Sequence, residues 1–417
     1  MMQREENIAV ATQPQRLDKT TSRWFFFTLL YLFIDYGRPQ DLLPIGFLKP
    51  GMISILILTV YVLFSGKIKL TESKQTRLIW CFIGLTAIYI PFARNNFYAY
   101  VTTKGMLLYM PFILSTIIVV DSIARLKTFV SFMIAIMVYV CIFSLFHHGQ
   151  GSGNYFKDEN DLSLYIDTML PFCYFLFLYE KNRMKKMAYG LSMLIGILAI
   201  VASFSRGGFI GLVCMAAVAW WFSPRKVVSL FIIATLASTM YFYGGQRYEK
   251  EMATSTDIEE GTARARIESW KSAWRMFLDN PLGVGGNNFQ VRFPEYQTDY
   301  FKRGMWGRVA HSLWFTLIPE LGIVGIYIYL SLLFYNLKDI FWLKNSRNKL
   351  KNSRDGEYIY SLSLSFLASF AGYFASGIFL SVLYYPHYWY LTALLVAISR
   401  IVRNKTYQGP AEVSEVI

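Results

Sequence analysis

The stretch RVAHSLWFTLIPELGIVGIYIYLSLLFYNL, residues 308–337, decides the fold. From Leu313 onward it is almost wholly apolar and longer than the roughly 20 residues that a helix needs to cross a bilayer. Its leading edge nevertheless carries Arg308 and His311, and ionisable groups at a membrane boundary are candidate functional residues because they are costly there. Glu320 lies almost opposite His311 around a helix, so we expect it to hydrogen-bond to another helix and not to orient the imidazole.

Comparable apolar runs recur along the whole chain. Of its 417 residues, 54% are hydrophobic and 18% aromatic, whereas only 16% are charged, against about 25% in a typical soluble domain. This composition predicts an all-α polytopic membrane protein with about 12 transmembrane helices. The predicted spans are approximately 23–36, 46–64, 77–92, 105–120, 128–146, 162–179, 187–204, 206–222, 227–243, 308–337, 358–383 and 388–401.

The placement of Lys and Arg predicts the orientation of these helices. Most of the 41 basic residues lie in the polar tails and in alternate short loops, and few lie in the loops between them. The positive-inside rule therefore places both termini in the cytoplasm, and the net charge of +14 is mainly a topology signal that does not call for nucleic acid. The predicted organisation is a cytoplasmic tail (1–22), transmembrane helices 1–9 (23–243), a periplasmic loop (244–307), transmembrane helices 10–12 (308–401) and a second cytoplasmic tail (402–417).

The periplasmic loop contains a predicted amphipathic helix. Ile267, Trp270, Trp274 and Phe277 recur at helical spacing, and an Asn-Pro pair followed by a glycine-rich turn ends the pattern. Tryptophan suits the membrane interface because an indole can lie half in water. We therefore expect this helix to lie over the membrane and to roof a cavity.

Three residues on the outer side are the main candidate site residues. Arg206, in ASFSRGGFIGLV, lies at a turn whose glycines let another backbone or a ligand approach closely; it either binds an anion or snorkels to the interface. Arg266 shares a helix face with Trp270 and Trp274 and is expected to point into the roofed cavity. His311 can accept a proton near neutral pH, although a lone histidine is more often structural.

Other residues near these three are secondary candidates. Arg264 and Glu268 have the i,i+4 spacing of a solvated ion pair. Arg308 either steers an anionic substrate or snorkels, and Asn160 or Asp161 is expected to cap the sixth helix. The sequence shows no metal-ligand spacing and no cofactor motif, so we expect a chemistry without a metal or a cofactor.

Together these residues predict arginines and one histidine facing outward beneath an aromatic roof. A guanidinium binds phosphate through a bidentate fork, and an imidazole can remove a proton from a hydroxyl. A lipid-anchored diphosphate in the outer leaflet fits such an arrangement.

Four motifs, in this order along the chain, resemble those of the O-antigen ligase and polymerase superfamily. They are DENDLSLYIDTMLP (158–171), SRGGFIGL (205–212), RIESWKSAWRMFLDNPLGVGGNNF (266–289) and AHSLWFTLIPELGIVG (310–325). The resemblance implies an inverting, metal-independent glycosyltransferase of the bacterial inner membrane. Its donor would be a glycan on undecaprenyl diphosphate, held by Arg206 and Arg266, and His311 would be the base on the acceptor hydroxyl at the periplasmic side.

The acceptor stays open at this point. A ligase uses lipid A-core, and the helix count and loop position resemble a ligase most. An O-antigen or exopolysaccharide polymerase, or a protein O-oligosaccharyltransferase, would share the same motifs. A lipid-linked glycan transporter is the alternative from another class, but it would carry charge deep inside several helices and show pseudo-symmetric halves. Here the charge collects on one side beside a single long loop, which favours an enzyme.

Overall fold

The computed structural model describes residues 19–147, 149–152, 156, 158–223, 225–227, 229–230, 234, 238, 261–301, 303–350 and 352–407. Within these ranges the chain forms α-helices, short 3-10 turns and loops, without a strand. Most of the predicted span at 227–243 lies outside the described residues, as do residues 1–18, 244–260 and 408–417. The prediction of an all-helical chain is confirmed for the part that the structure describes.

The helices are numbered here in chain order within the described ranges. They are α1 (Lys19–Gly37), α2 (Pro39–Leu42), α3 (Pro50–Phe64), α4 (Lys74–Ile88), α5 (Asn96–Val119), α6 (Ile123–Phe146), α7 (Glu159–Tyr179), α8 (Arg183–Ser203), α9 (Arg206–Phe222), α10 (Gly261–Asp279), α11 (Phe289–Tyr296), α12 (Leu313–Asn345), α13 (Ser353–Ser376) and α14 (Pro386–Tyr407).

Several of these helices can cross a membrane. Seven helical segments in the described ranges are long and apolar enough, and α9 is a shorter apolar helix. The seven are Gly46–Phe64, Asn96–Val119, Ile123–Phe146, Glu159–Tyr179, Arg183–Ser203, Leu313–Asn345 and Ser353–Phe379. The protein is therefore a multi-pass membrane protein, and the full set of about twelve crossings stays a prediction.

One predicted capping residue and the predicted start of the tenth span are wrong, and polar caps explain both differences. Asp158 caps α7, in place of Asn160 or Asp161, because its carboxylate accepts a hydrogen bond of 2.8 Å from the backbone N–H of Asn160. The tenth predicted span begins at Leu313 and not at residue 308, because the side chain of Ser312 caps α12. Residues 308–311 are consequently a loop, which frees them from helical geometry.

Glycines bring α9 into close contact with its neighbours. A Cβ at Gly208 would overlap Ser163 of α7, and one at Gly211 would overlap Ser376 of α13. The predicted close approach is confirmed at these two positions, whereas a Cβ at Gly207 would meet nothing closer than 3.7 Å. The packing fixes the first turn of α9 beside the first turn of α7.

Helix α12 breaks where the loop after α10 packs against it. Gly322 has φ 59°, a left-handed conformation that interrupts the helix and favours glycine. The break leaves backbone carbonyls of α12 open, and the loop uses them: Val284 N–H donates to the Pro319 carbonyl at 3.0 Å and Gly285 N–H donates to the Glu320 carbonyl at 2.8 Å.

The side chain of Glu320 binds the same loop. Its buried carboxylate accepts hydrogen bonds from Asn287 N–H (2.8 Å), Phe289 N–H (3.2 Å) and the Tyr384 hydroxyl (2.7 Å). Glu320 was expected to hydrogen-bond to another helix; its partners are instead a loop residue, the first residue of α11 and a residue of the turn before α14. The loop also contacts α5, since Asn287 Nδ2 donates to Thr102 Oγ1 at 2.8 Å.

The two ends of the helix bundle differ in chemistry. At the end opposite to His311, basic side chains form ion pairs with acidic ones: Arg125 with Asp121 (2.6 Å), Lys127 with Asp355 (3.2 Å) and Arg403 with Asp339 (2.8 Å). At the end that carries His311 lie the first turns of α7, α9, α12 and α14.

Candidate active site

His311 lies in the loop just before α12, in an unusual backbone conformation. Its φ is 48°, in the left-handed region that costs an ordinary L-residue about 1–2 kcal/mol. The peptide before it is held by the indole of Trp270, whose Nε1–H donates to the Ala310 carbonyl at 3.0 Å. Ser312, after it, is fixed as the cap of α12. The imidazole is thus presented from a backbone that is held on both sides.

The indole that holds this peptide belongs to the predicted amphipathic helix, which is present as α10. Trp270 stacks on Phe315 of α12, with ring centroids 5.2 Å apart, and packs beside Phe379 at 6.4 Å. Trp270 therefore packs against the first turn of α12, and the expected place of this helix at the membrane interface stays a prediction. Trp274, one turn later, is 48% exposed. Helix α10 accordingly roofs the start of α12.

Positive charge surrounds His311. Burial lowers the pKa of His311 below its usual value, and the nearby guanidinium groups of Arg266 and Arg308 lower it further. The carboxylate of Asp158, at the cap of α7, acts in the opposite direction. These shifts favour the neutral imidazole, which is the form that can accept a proton.

Arg308 is built into the site by specific contacts. Its Nε donates to Ser269 Oγ of α10 at 2.7 Å, and its guanidinium lies 4.7 Å from the centre of the Phe301 ring. Burial and the charge of Arg266 lower the pKa of Arg308, although an arginine stays charged in a protein. Arg308 does not simply snorkel, since these contacts hold it beneath the roof.

Arg264 lies on α10, two residues before Arg266. It is exposed, and its guanidinium stacks over the Tyr300 ring at 5.2 Å. Glu268, its expected partner, takes a hydrogen bond of 2.8 Å from Lys271. Arg264 is thus more exposed than Arg266, which is half-buried.

Arg206 is the first residue of α9, at the turn where it was predicted. The preceding Ser205 caps α9, since its Oγ accepts from Gly208 N–H at 3.0 Å. The same Oγ donates to Asn160 Oδ1 at 2.7 Å, and Asn160 Nδ2 donates to Asp158 Oδ1 at 2.9 Å. This chain of hydrogen bonds ties the Arg206 turn to the first turn of α7.

A short series of contacts connects the Arg206 turn to His311. The Cβ position of Gly207 lies 3.7 Å from Cβ of Phe379, and Phe379 packs against Trp270, which holds the peptide before His311. The structure therefore brings Arg206, Arg266, Arg308 and His311 to the same end of the bundle, on two different helices and one loop.

Comparison with known families agrees with this geometry. Residues 191–330 match the family model described as O-antigen ligase. The predicted resemblance is thereby confirmed for about a third of the chain, a region that contains all four basic site residues named above. The match indicates a membrane glycosyltransferase of the O-antigen ligase or polymerase type. A search of curated proteins found no match.

Asp161 lies outside the O-antigen ligase region and has a different partner from the one expected. Its Oδ2 accepts a hydrogen bond of 2.9 Å from the Tyr385 hydroxyl, which enters from the turn before α14. His387, in the first turn of α14, is buried, with Nδ1 2.8 Å from the Tyr36 hydroxyl. Tyr385 and Tyr36 could not be identified from the sequence, because each is far along the chain from its hydrogen-bonding partner.

Asp158 was also missed as a site residue. The run Asp-Glu-Asn-Asp offers several possible caps, and only the geometry selects the first of them. In the described ranges, no three His, Cys, Asp or Glu side chains form a cluster that could hold a metal ion. The chemistry that these side chains offer is the binding of an anion by arginines and the acceptance of a proton by a neutral imidazole.

Proposed function

We propose that this protein is an inverting, metal-independent glycosyltransferase that transfers a glycan from undecaprenyl diphosphate to an acceptor hydroxyl. The acceptor that we propose is lipid A-core, which makes the reaction an O-antigen ligation. The observation that carries the proposal is a half-buried His311 with the guanidinium groups of Arg266 and Arg308 near it, within the region that matches the O-antigen ligase model.

The arginines supply the donor half of the mechanism. As the anomeric carbon separates from the diphosphate oxygen, negative charge grows on that oxygen and on its phosphate. Arg206 and Arg266 would meet this charge with bidentate hydrogen bonds, and each well-placed donor of this kind contributes about 3–4 kcal/mol to the transition state. Arg308, fixed by Ser269, adds to the positive field without needing to touch the donor.

His311 supplies the acceptor half. The acceptor oxygen forms its bond to the anomeric carbon from the face opposite to the diphosphate, so the configuration inverts. The hydroxyl proton passes to the neutral imidazole of His311, and the lipid diphosphate leaves with the electron pair of the broken bond. The roof formed by α10 limits water, which strengthens each of these electrostatic interactions.

We place the site at the periplasmic face of the bacterial inner membrane. The basic ion pairs of Arg125, Lys127 and Arg403 lie at the opposite end of the bundle, where the positive-inside rule puts the cytoplasm. A diphosphate headgroup in the outer leaflet would then lie at the level of the Arg206 turn.

The test uses a host strain that lacks the gene, complemented with the wild type, His311→Ala, Arg206→Lys or His147→Ala. Lipopolysaccharide ladders and lipid-linked glycan are measured side by side. A general base contributes about 10²–10⁴-fold, so His311→Ala should lose the ladder while lipid-linked polymer accumulates. Arg206→Lys should also fail, because lysine keeps the charge and loses the fork.

His147→Ala is the matched control, since His147 is an exposed histidine that stacks on Phe143. It should keep a normal ladder. A ladder restored by His311→Ala would remove His311 as the base. A deletion strain that retains core with a single repeat would show a polymerase, and an unchanged ladder would point to another acceptor or to transport.

A further inference from the structure

The turn Tyr384-Tyr385-Pro386-His387, called here the tyrosine turn, has hydrogen bonds to two buried or half-buried carboxylates on different helices. The Tyr384 hydroxyl donates to Glu320 of α12 at 2.7 Å. The Tyr385 hydroxyl donates to Asp161 of α7 at 2.9 Å. Neighbouring residues of one turn thus hold two helices at a set separation.

The tyrosine turn is itself fixed to two more helices. His387 Nδ1 lies 2.8 Å from the Tyr36 hydroxyl at the end of α1. The Tyr109 hydroxyl of α5 donates to the Tyr384 carbonyl at 3.1 Å. Because both ends of the turn are anchored, its place does not depend on Glu320 and Asp161 alone. Its two tyrosines can therefore fix where these carboxylates lie.

Each of the two carboxylates is connected to one half of the candidate active site: Glu320 to the half with His311, and Asp161 to the half with Arg206. Glu320 lies on α12 below His311, and it also holds the loop that follows the roof helix through Asn287 and Phe289. Asp161 lies on the first turn of α7, beside the Asn160 that binds the cap of α9 and so fixes Arg206.

We infer that Tyr384 and Tyr385 are positioning residues, which set the distance between the base His311 and the diphosphate-binding Arg206. This inference rests on the proposed function, since it needs a base and an anion site that act on one bond. Neither tyrosine has to touch the substrate. Transfer with inversion requires the acceptor oxygen, the anomeric carbon and the leaving oxygen to lie in line, and a displacement of about 1 Å can cost about 10²-fold in rate.

A purely structural role would give a different result, and the chain offers a control for it. Tyr390, on α14, also donates to a carboxylate in the bundle, Asp35 of α1, at 3.0 Å. This pair has the same chemistry as Tyr385 with Asp161, but Asp35 belongs to neither half of the site. Tyr390→Phe therefore reports what the loss of such a hydrogen bond costs the fold alone.

The experiment compares purified Tyr385→Phe, Tyr384→Phe and Tyr390→Phe with the wild type. The donor is lipid-linked glycan extracted from the deletion strain, and the acceptor is the lipid A-core of that strain. We expect kcat to fall about tenfold or more in Tyr385→Phe and Tyr384→Phe, with KM for the donor within about twofold, because alignment is lost while the arginines remain. Tyr390→Phe should keep the kcat of the wild type even if its melting temperature falls as far as those of the other two variants.

Two further variants test the hydrogen bond itself. Asp161→Asn keeps an oxygen that accepts from Tyr385, whereas Asp161→Leu does not, so the first should retain much more of kcat than the second. Equal kcat values in Tyr385→Phe and Tyr390→Phe, or a loss confined to KM, would overturn the positioning role. If the wild type transfers no glycan in the same assay, the proposed function fails instead, whatever the tyrosine variants do; transfer by His311→Ala would remove His311 as the base.

Discussion

Replacement of Trp270 by Phe tests how the base is held. The change keeps a ring that can stack on Phe315 and removes the N–H that donates to the Ala310 carbonyl. Ala310 is 1% exposed, so its carbonyl would lose a partner that water does not readily replace, at a cost of about 1–3 kcal/mol. The left-handed conformation of His311 already costs about 1–2 kcal/mol, and the two energies are comparable. The variant should therefore let His311 leave this conformation for much of the time.

A shift of about 1.4 kcal/mol corresponds to a tenfold loss of rate, so we expect transfer by Trp270→Phe to fall about tenfold, and by up to about a hundredfold. The assay is the initial rate of glycan transfer in detergent, with the melting temperature measured on the same sample. Trp274→Phe is the control, because Trp274 lies one turn further along α10 and is 48% exposed. A rate within twofold of the wild type for Trp270→Phe, or an equal loss in both variants, would refute the role assigned to this hydrogen bond.

Two further predictions concern charge and packing. Arg308→Gln removes a positive charge that lowers the pKa of His311, so the acid limb of the kcat/KM profile should move to higher pH. Asp158→Asn keeps the cap of α7 but removes a negative charge that raises this pKa, so the acid limb should move to lower pH. Shifts of both variants in the same direction would contradict the electrostatic account. Gly208→Ala would overlap Ser163 and should cost about 1–3 kcal/mol of stability together with most activity. Adding Ser163→Gly should restore part of both in a melting and transfer assay, and an unchanged melting temperature for the single variant would show that α7 and α9 can separate freely.

Hydropathy predicted most of the helices because a spanning helix must satisfy its backbone internally, so its length and apolar content are visible locally. The residues at which the helices start were harder to predict from the sequence. At DEND, four polar residues in a row could each cap α7, and the choice of Asp158 depends on how the chain enters from the preceding loop. The break of α12 at Gly322 was missed because its cause, the loop at 281–289, lies before the helix in sequence and packs against it only in the fold.

The basic candidate residues could be selected from the sequence because charge at a membrane boundary is costly and needs a reason. The contacts that hold these residues in place could not be predicted. The side chain that holds the His311 peptide is a tryptophan 40 residues earlier, and the pattern of α10 favoured an interfacial role for it. Tyr384 and Tyr385 gave no signal, since aromatic residues are common in this chain and the partner of Tyr385 lies 224 residues away. Such pairs become evident only when the helices are assembled.

The position of His311 outside α12 has a consequence for the order of events. Burial, two arginines and the positive end of the α12 dipole all disfavour an imidazolium in the free protein, whereas Asp158 favours it. On the proposed mechanism, a bound diphosphate brings negative charge to Arg266 and Arg206 and offsets part of the positive field. The proton affinity of His311 then rises when the donor is in place. The base is thus weak while the site is empty and stronger when there is a glycan to transfer, because the charge that binds the donor is the same charge that restrains the base.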